Sequence, residues 1–237
     1  MAKFRVPTLS STDNVVIRLA DPGEIDKTNR LVFGNYVSAK YWENDAKNLQ
    51  NIFLHTPMRK VVVALEDGEM VGTASVILDS AIGLPSDGGQ RPLMQQLRNK
   101  GSVAEISGLA IDRSKAKHQK LVLFLLSYVF QYSYYYLGLD RVAASCVGSH
   151  ANFYVSAGLF IKISSPTAYS DRSVAPLFTL LDLDFMQAHA NLAGHVPGSF
   201  LSFMLREPHP CHRFPSESEL KRSREINGLG SLLLDVA

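Results

Sequence analysis

From residue 15 onward, apolar positions recur alternately at strand and helix periods. Val15-Val-Ile-Arg-Leu-Ala20 predicts a first strand. Asp21-Pro-Gly-Glu24 supplies an N-cap with a proline just after it, so a helix is expected from about Glu24 to Phe33. The segment from Tyr36 to Leu54, which holds Trp42, is also expected to be helical. Lys60–Glu66 and Met70–Leu78 predict two strands joined by Asp67-Gly68, a hairpin signal because glycine accepts positive φ without steric cost. A long connection, Asp79–Ser102, carries a short helical piece near Pro92–Asn99, and a loop of that length in a compact domain tends to be functional. A strand at Val103–Asp112 then runs into the basic turn Arg113–Lys120, the uncharged helix Leu121–Leu139 and a second strand, Asp140–Val147. Ser149–Phe160 follows, then a strand candidate at Val174–Leu183, interrupted by Pro176, and a helix at Phe185–Leu192. Strands alternate with helices, so the expected fold class is α/β.

Beyond Gly194 the composition changes: Pro197, Pro208, Pro210 and Pro215 come close together, and a charged run from Glu217 to Glu225 follows. The expected organisation is a tail (1–14), one domain (15–193) and an extension (194–237) that docks on the core or frays. The 237 residues, 46% of them apolar, are enough for one full core. A net charge of +2 argues against a nucleic-acid-binding protein and confines electrostatic recognition to a local patch. Cys146 and Cys211 make no disulfide framework, which suits a reducing, cytoplasmic setting. Residues 1–10 have no apolar h-region, so no secretory signal is expected. Leu121–Leu139 approaches the ~20 residues of a membrane span. It also carries Ser127, Gln131, Ser133 and several tyrosines, which favours a helix buried on most of its surface.

Two features point to chemistry. Arg113, Lys115, Lys117, His118 and Lys120 precede the helix that starts at Leu121. A helix N-terminus presents unpaired N–H groups and a partial positive charge, so cations there make a phosphate site, or else simply a solvated charge run. Glu105 lies within an otherwise apolar strand. Burial would raise its pKa toward neutrality and suit it to act as a general base. The alternative is a structural carboxylate paired with Arg18 or Arg141. The spacing of His209, Cys211 and His212 is not a zinc pattern, and no nucleophile elbow or Walker loop is present.

The run Val103-Ala-Glu-Ile-Ser-Gly-Leu-Ala-Ile-Asp112, the basic turn, the helix, the strand ending at Val147 and the Tyr-bearing Ser149–Phe160 segment together resemble the core of the GNAT N-acyltransferase superfamily. With the loop Asp79–Asp87, they resemble in particular the long-chain N-acyl amino acid synthases, relatives of the acyl-homoserine-lactone autoinducer synthases. The resemblance spans roughly residues 15–185. It implies a twisted mixed sheet with helices on both faces, in which strands 103–112 and 141–147 are parallel neighbours that splay apart. The backbone of Leu109, Ala110 and Ile111 would pair with a pantetheine arm. Glu105 would take the proton of the acceptor amine. Tyr154 would protonate the leaving thiolate, unless it is an amphipathic core tyrosine, and His150 is read as a helix-start residue.

Acyl-CoA-dependent members usually carry glycines in the basic turn. Arg113-Ser-Lys-Ala-Lys-His has none, which favours one phosphate held by side chains, as on the acyl-phosphopantetheine of an acyl carrier protein, whose acidic surface the basic patch would also receive. Leu123, Phe124, Ser127, Tyr128, Gln131 and Tyr135, at helical spacing, would line an acyl tunnel or simply pack the core. The implied partners are an acyl carrier protein and a small amine such as an amino acid, with peripheral membrane contact and with neither nucleic acid nor metal. No permanent cofactor is implied. An acyl-CoA acetyltransferase and a non-catalytic protein that binds acyl chains or acyl carrier are the alternative readings.

Overall fold

The computed structural model describes residues 6–8, 14–114, 116, 120–167, 177–192, 198–216 and 218–219. Its centre is a mixed sheet of eight strands: β1 (Val15–Leu19), β2 (Arg59–Glu66), β3 (Glu69–Leu78), β4 (Val103–Ile111), β5 (Arg141–Val147), β6 (Ile161–Lys162), β7 (Phe178–Asp184) and β8 (His212–Arg213). The strand order is β6-β7-β5-β4-β3-β2-β1-β8. β1 to β4 form an antiparallel meander, and the β2–β3 hairpin turns at Asp67-Gly68 with both residues at positive φ, 51° and 81°. β4 and β5 are parallel, as the crossover through α4 (Leu121–Gln131) requires. β5 and β7 pair antiparallel.

Helices cover both faces. α4 packs against β1 to β4 and, on its other side, against α7 (Phe200–Leu205). This is the main core, built around Ile17, Val62, Ala74, Val76, Phe124, Leu125, Val129, Phe130 and Val142. On the opposite face α3 (Asp87–Arg98) lays Met94 and Leu97 against Ile77, Val103, Ala143 and Leu180. α1 (Ile25–Ser38) crosses β3 and β4. It begins where Asp21-Pro22 predicts: Arg18 makes a two-pronged ion pair with Glu24 (2.8 and 2.9 Å), and Glu24 accepts from the Asp21 amide (2.8 Å).

Several expectations are corrected. Tyr36–Leu54 is not one helix. α1 stops at Ser38, Lys40 takes φ 59°, and a 3₁₀ turn (Ala46–Gln50) and α2 (Ile52–His55) follow. The side chains of Asp45 and Asn51 accept from the amides of Lys47 and Phe53 (2.9 Å each), so each starts a new turn instead of continuing an old one. The helix expected near Pro92 begins earlier, at Asp87. Gln90 (φ −140°, ψ 33°) breaks it two residues before Pro92, so the proline falls in the first turn after the kink, where its missing N–H costs little. The uncharged helix is α-helical only to Gln131 and closes in a π-helical turn, Tyr132–Tyr136. β7 begins at Phe178, and α6 (Phe185–Leu192) follows it; Val174–Pro176 lie outside the described residues. β6 and β8 have only two residues each, too short to leave a periodic trace.

The C-terminal segment explains the polar residues of α4. Ser127 Oγ donates to the Phe203 carbonyl (2.7 Å), and Gln131 Nε2 donates to the carbonyls of Phe203 and Glu207 (3.0 and 3.1 Å). The Tyr128 hydroxyl donates to the Arg213 carbonyl (3.1 Å), and its ring stacks on Phe214. Among the described residues no helix is long and apolar enough to cross a membrane.

Candidate active site

β4 and β5 pair from Val103↔Arg141 to Ile106↔Ala144 and no further, although β4 runs on to Ile111 and β5 to Val147. The cause lies partly in β4 itself. Its register against β3 jumps from Ser75↔Ser107 to Thr73↔Ala110, so Gly108 and Leu109 together face Ala74. Gly108 carries this bulge at φ 62°, a conformation that side chains resist. The bulge turns β4 away from β5 and leaves the backbone at Leu109, Ala110 and Ile111 without a β5 partner.

The gap opens into two connected spaces. The inner cavity, about 200 Å³, is lined by Glu105, Ile106, Ser107, Leu109, Leu126, Phe130, Ser145, Cys146, Tyr154, Phe160 and Phe178, among others. The outer groove, about 700 Å³, runs past Leu109, Ala110 and Ile111 to Arg113, Leu121 and Val122 at the start of α4. Tyr36, Tyr41, Leu109, His150 and Tyr154 line both, so they mark the neck between them. Tyr41 meets Phe178 edge to face, with ring centres 5.9 Å apart, and closes the inner cavity on the α1 side.

Glu105 is 3% exposed. Oε2 accepts from the Ser86 amide and Oε1 from the Ser86 hydroxyl, both at 2.8 Å. Ser86 Oγ also meets Ser145 Oγ at 2.7 Å, and Ser145 lines the inner cavity. Burial pushes the Glu105 carboxyl up to about 7, against the downward pull of the two Ser86 hydrogen bonds. The arginines weighed as its partners are engaged elsewhere: Arg18 with Glu24, and Arg141 with Asp182 and Asp184 (2.7 Å each).

Ser86 is held in place by an ion-pair clamp. Arg98 Nε and Nη2 grip Asp79 (2.7 and 2.9 Å), while its Nη1 and Nη2 grip Asp87 (2.8 and 2.6 Å). Asp87 Oδ2 also accepts from the Leu84 amide (2.7 Å). At Gly83 (φ 74°) an added Cβ would stand 2.6 Å from that oxygen, so the turn needs glycine. The Asp79–Asp87 loop is thus the floor that presents Ser86 to Glu105.

Tyr154, on α5 (Gly148–Ser156), reaches the neck, and burial first, with Cys146, Tyr36 and Tyr41 adding to it, holds its phenol protonated well above the usual range. Burial likewise raises the Cys146 thiol to about 12, so this cysteine lines the cavity as a neutral group. His150, the third residue of α5, lines the neck as well as starting the helix. Arg113 lines the outer groove, and Lys120 caps α4 beside it. Lys115, Lys117 and His118 lie outside the described residues.

The expected acyl-tunnel face of α4 is corrected. Phe124, Ser127, Tyr128 and Gln131 face α7 and the C-terminal strand, while Leu126 and Phe130 line the inner cavity. Sequence spacing alone does not show which face of an almost wholly apolar helix meets which neighbour. Ser86, Ser145, Tyr36 and Tyr41 were not anticipated; they come from separate elements and form no local motif.

A protein-family model described as "N-acyl amino acid synthase FeeM" matches residues 27–184. Among solved structures, FeeM, an N-acyl amino acid synthase from uncultured soil microbes, superposes with a TM-score of 0.62 at 24% identity, covering 73% of this chain and 92% of its own. BjaI, a CoA-dependent acyl-homoserine lactone synthase solved with SAM and isopentyl-CoA, gives 0.61 at 14% identity, covering 90% of this chain and 100% of its own. A probable acetyltransferase from Staphylococcus epidermidis gives 0.51 at 15% identity, covering 72% and 98%. No curated protein matches the chain. The sheet with helices on both faces and a parting β4–β5 pair is the GNAT fold, and the family match over residues 27–184 adds the chemistry: this chain belongs to the FeeM family of N-acyl amino acid synthases and is an acyltransferase.

Proposed function

We propose that this N-acyltransferase moves a long fatty acyl group from the phosphopantetheine thioester of an acyl carrier protein to the amine of an amino acid. The observation that carries this reading is the parting of β4 and β5 after Ile106↔Ala144, with Glu105 at the inner end of the gap and a cationic helix start at the outer end. The pantetheine arm runs along Leu109, Ala110 and Ile111, whose backbone is left without a β5 partner, and the acyl chain enters the cavity beside Leu126, Phe130 and Phe160. Arg113 and Lys120, with Lys115, Lys117 and His118 in the same turn, hold the phosphate. The absence of glycine from this turn supports a single phosphate held by side chains over a closely wrapped pyrophosphate.

The amine gives its proton to Glu105, directly or through Ser145 and Ser86. A carboxylate with a pKa near 7 accepts a proton at neutral pH without holding it too tightly. Nitrogen attacks the thioester carbon. The developing oxyanion faces a backbone N–H of the bulged β4 segment. The C–S bond breaks, and Tyr154 donates a hydrogen bond or proton to the leaving sulfur. The products are one amide and one free thiol.

The test is to incubate the protein with amino acids and matched acyl chains on an acyl carrier protein and on CoA, and to read amides by mass spectrometry. A long-chain amide formed faster from the carrier supports the reading. Preference for acetyl-CoA would replace it with an acetyltransferase, and bound acyl chain without product would leave a binding protein.

A further inference from the structure

Arg59, the first residue of β2, is only 8% exposed. Among the described residues no carboxylate answers its charge. Nε donates to Ser75 Oγ (2.9 Å), and Nη1 donates to Asn29 Oδ1 (2.5 Å) and to the Leu54 carbonyl (3.0 Å). Nη2 has no hydrogen-bond partner. A buried cation left in this condition is costly, since an unpaired charge loses its hydration and gains nothing in return. Burial accordingly pulls the guanidinium down to about 10. Such a group points to an anion that arrives from outside.

The surroundings have room for one. Arg59 lines a cavity of about 70 Å³ with Tyr36, Trp42, Asn51, Phe53 and Ser107. That is roughly five times the space one water needs, and enough for a carboxylate. Gly108 lines it too: an added Cβ there would stand 3.3 Å from Ser75 Oγ and 3.5 Å from Arg59 Nη2, so a side chain at this position would crowd the guanidinium. This cavity shares Tyr36, Pro85 and Ser107 with the inner cavity that holds Glu105. The sheet register aligns the two charged residues. Arg59 pairs with Ile77, and Ile77 pairs with Glu105, so all three lie in one row on one face. Two strand spacings, about 10 Å, separate the backbones of Arg59 and Glu105. The long arginine side chain closes part of that span.

We infer that Arg59 receives the α-carboxylate of the acceptor, so that a free amino acid is fixed with its amine toward Glu105. This inference rests on the N-acyltransferase reading and adds to it a residue that selects amino acids over simple amines. An α-amino acid carries its two charged groups on one carbon, and the Arg59–Glu105 row offers a site for each. A carboxamide in the same place would be neutral and would offer one acceptor oxygen instead of two, turning its NH2 toward a guanidinium that can only donate.

The test uses the full chain, an acyl thioester donor, and each of several amino acids paired with its own α-carboxamide. The wild-type protein should favour the acid over the amide by about 10–100-fold in kcat/KM, the weight of a charge-assisted hydrogen-bonded pair. Arg59→Gln should erase that preference by raising KM for the acid while leaving KM for the donor unchanged, and Arg59→Lys should restore part of it. Equal use of acid and amide by the wild-type protein overturns the inference even if the variants do not fold. So does an Arg59→Gln protein that loses both substrates equally, and in either case the transferase reading survives. Failure to form an amide from any acid or carboxamide overturns both.

Discussion

Glu105 draws its chemistry from burial and from Ser86, which supplies both of its hydrogen bonds and which a linear reading separates from it. Its own position, one carboxylate in an apolar strand, was legible in the sequence, as was the direction of its pKa. Its partner was not: the arginines named as alternatives are paired elsewhere, and Ser86 comes from a loop 19 positions away. Replacing Glu105 with Gln should lower turnover about 10²–10⁴-fold, the typical weight of a positioned base. The pH profile of kcat/KM should show an acid limb near pH 7, because only the ionised carboxylate accepts a proton. In Ser86→Ala that limb should move to higher pH, since the lost hydroxyl stabilises the charged form. An unmoved limb would mean that another group titrates. The same burial has a cost in stability. A carboxyl whose pKa is higher folded than unfolded stabilises the fold fully below about pH 4.5, and that contribution is lost as pH rises through about 7. Urea unfolding at pH 5 and pH 8 should therefore show a pH dependence in the wild-type protein that Glu105→Gln reduces.

Among the elements, α4 and the C-terminal segment were the hardest to read in advance. An almost uniformly apolar helix has no polar stripe to show which side faces the cavity and which is covered by a later element. Ser127 and Gln131 were the useful hint. Each needs a partner when buried, and each finds it on the carbonyls of α7 and the turn after it. The described part of the segment beyond Gly194 thus lies in the core, through Phe200, Phe203, Met204 and Leu205. Phe203→Ala should cost about 3–5 kcal/mol in chemical denaturation, the range for a buried phenylalanine. Acid should act on the same region. His212 is buried with Nε2 against the Phe124 carbonyl (3.1 Å), and burial holds it down to about 4. A lowered folded pKa means stability that is present above about pH 6.5 and lost as pH falls toward 4. Amide exchange at Ile17, whose N–H donates to the Cys211 carbonyl (2.8 Å), should quicken across that window, and His212→Asn should flatten the response.

At the scale of the whole molecule, one irregularity in the sheet sets up the site. Gly108 bulges β4, the bulge ends the β4–β5 pairing, and the opening joins an inner cavity at Glu105 to an outer groove at the start of α4. The strand–turn–helix–strand order, and with it the parallel β4–β5 pair, could be read from residues 103–147. The two-part shape of the opening could not, because Tyr36 and Tyr41 at its neck come from the end of α1 and the loop after it, which had been expected to continue as helix. The most direct measurement is a crystal structure of the protein with a non-hydrolysable thioether analogue of acyl-phosphopantetheine. The arm should lie against Leu109, Ala110 and Ile111, with its phosphate at Arg113 and Lys120 and its acyl chain beside Phe130 and Phe160. An analogue bound elsewhere, or β4 and β5 found hydrogen-bonded to each other along their full length, would contradict the account.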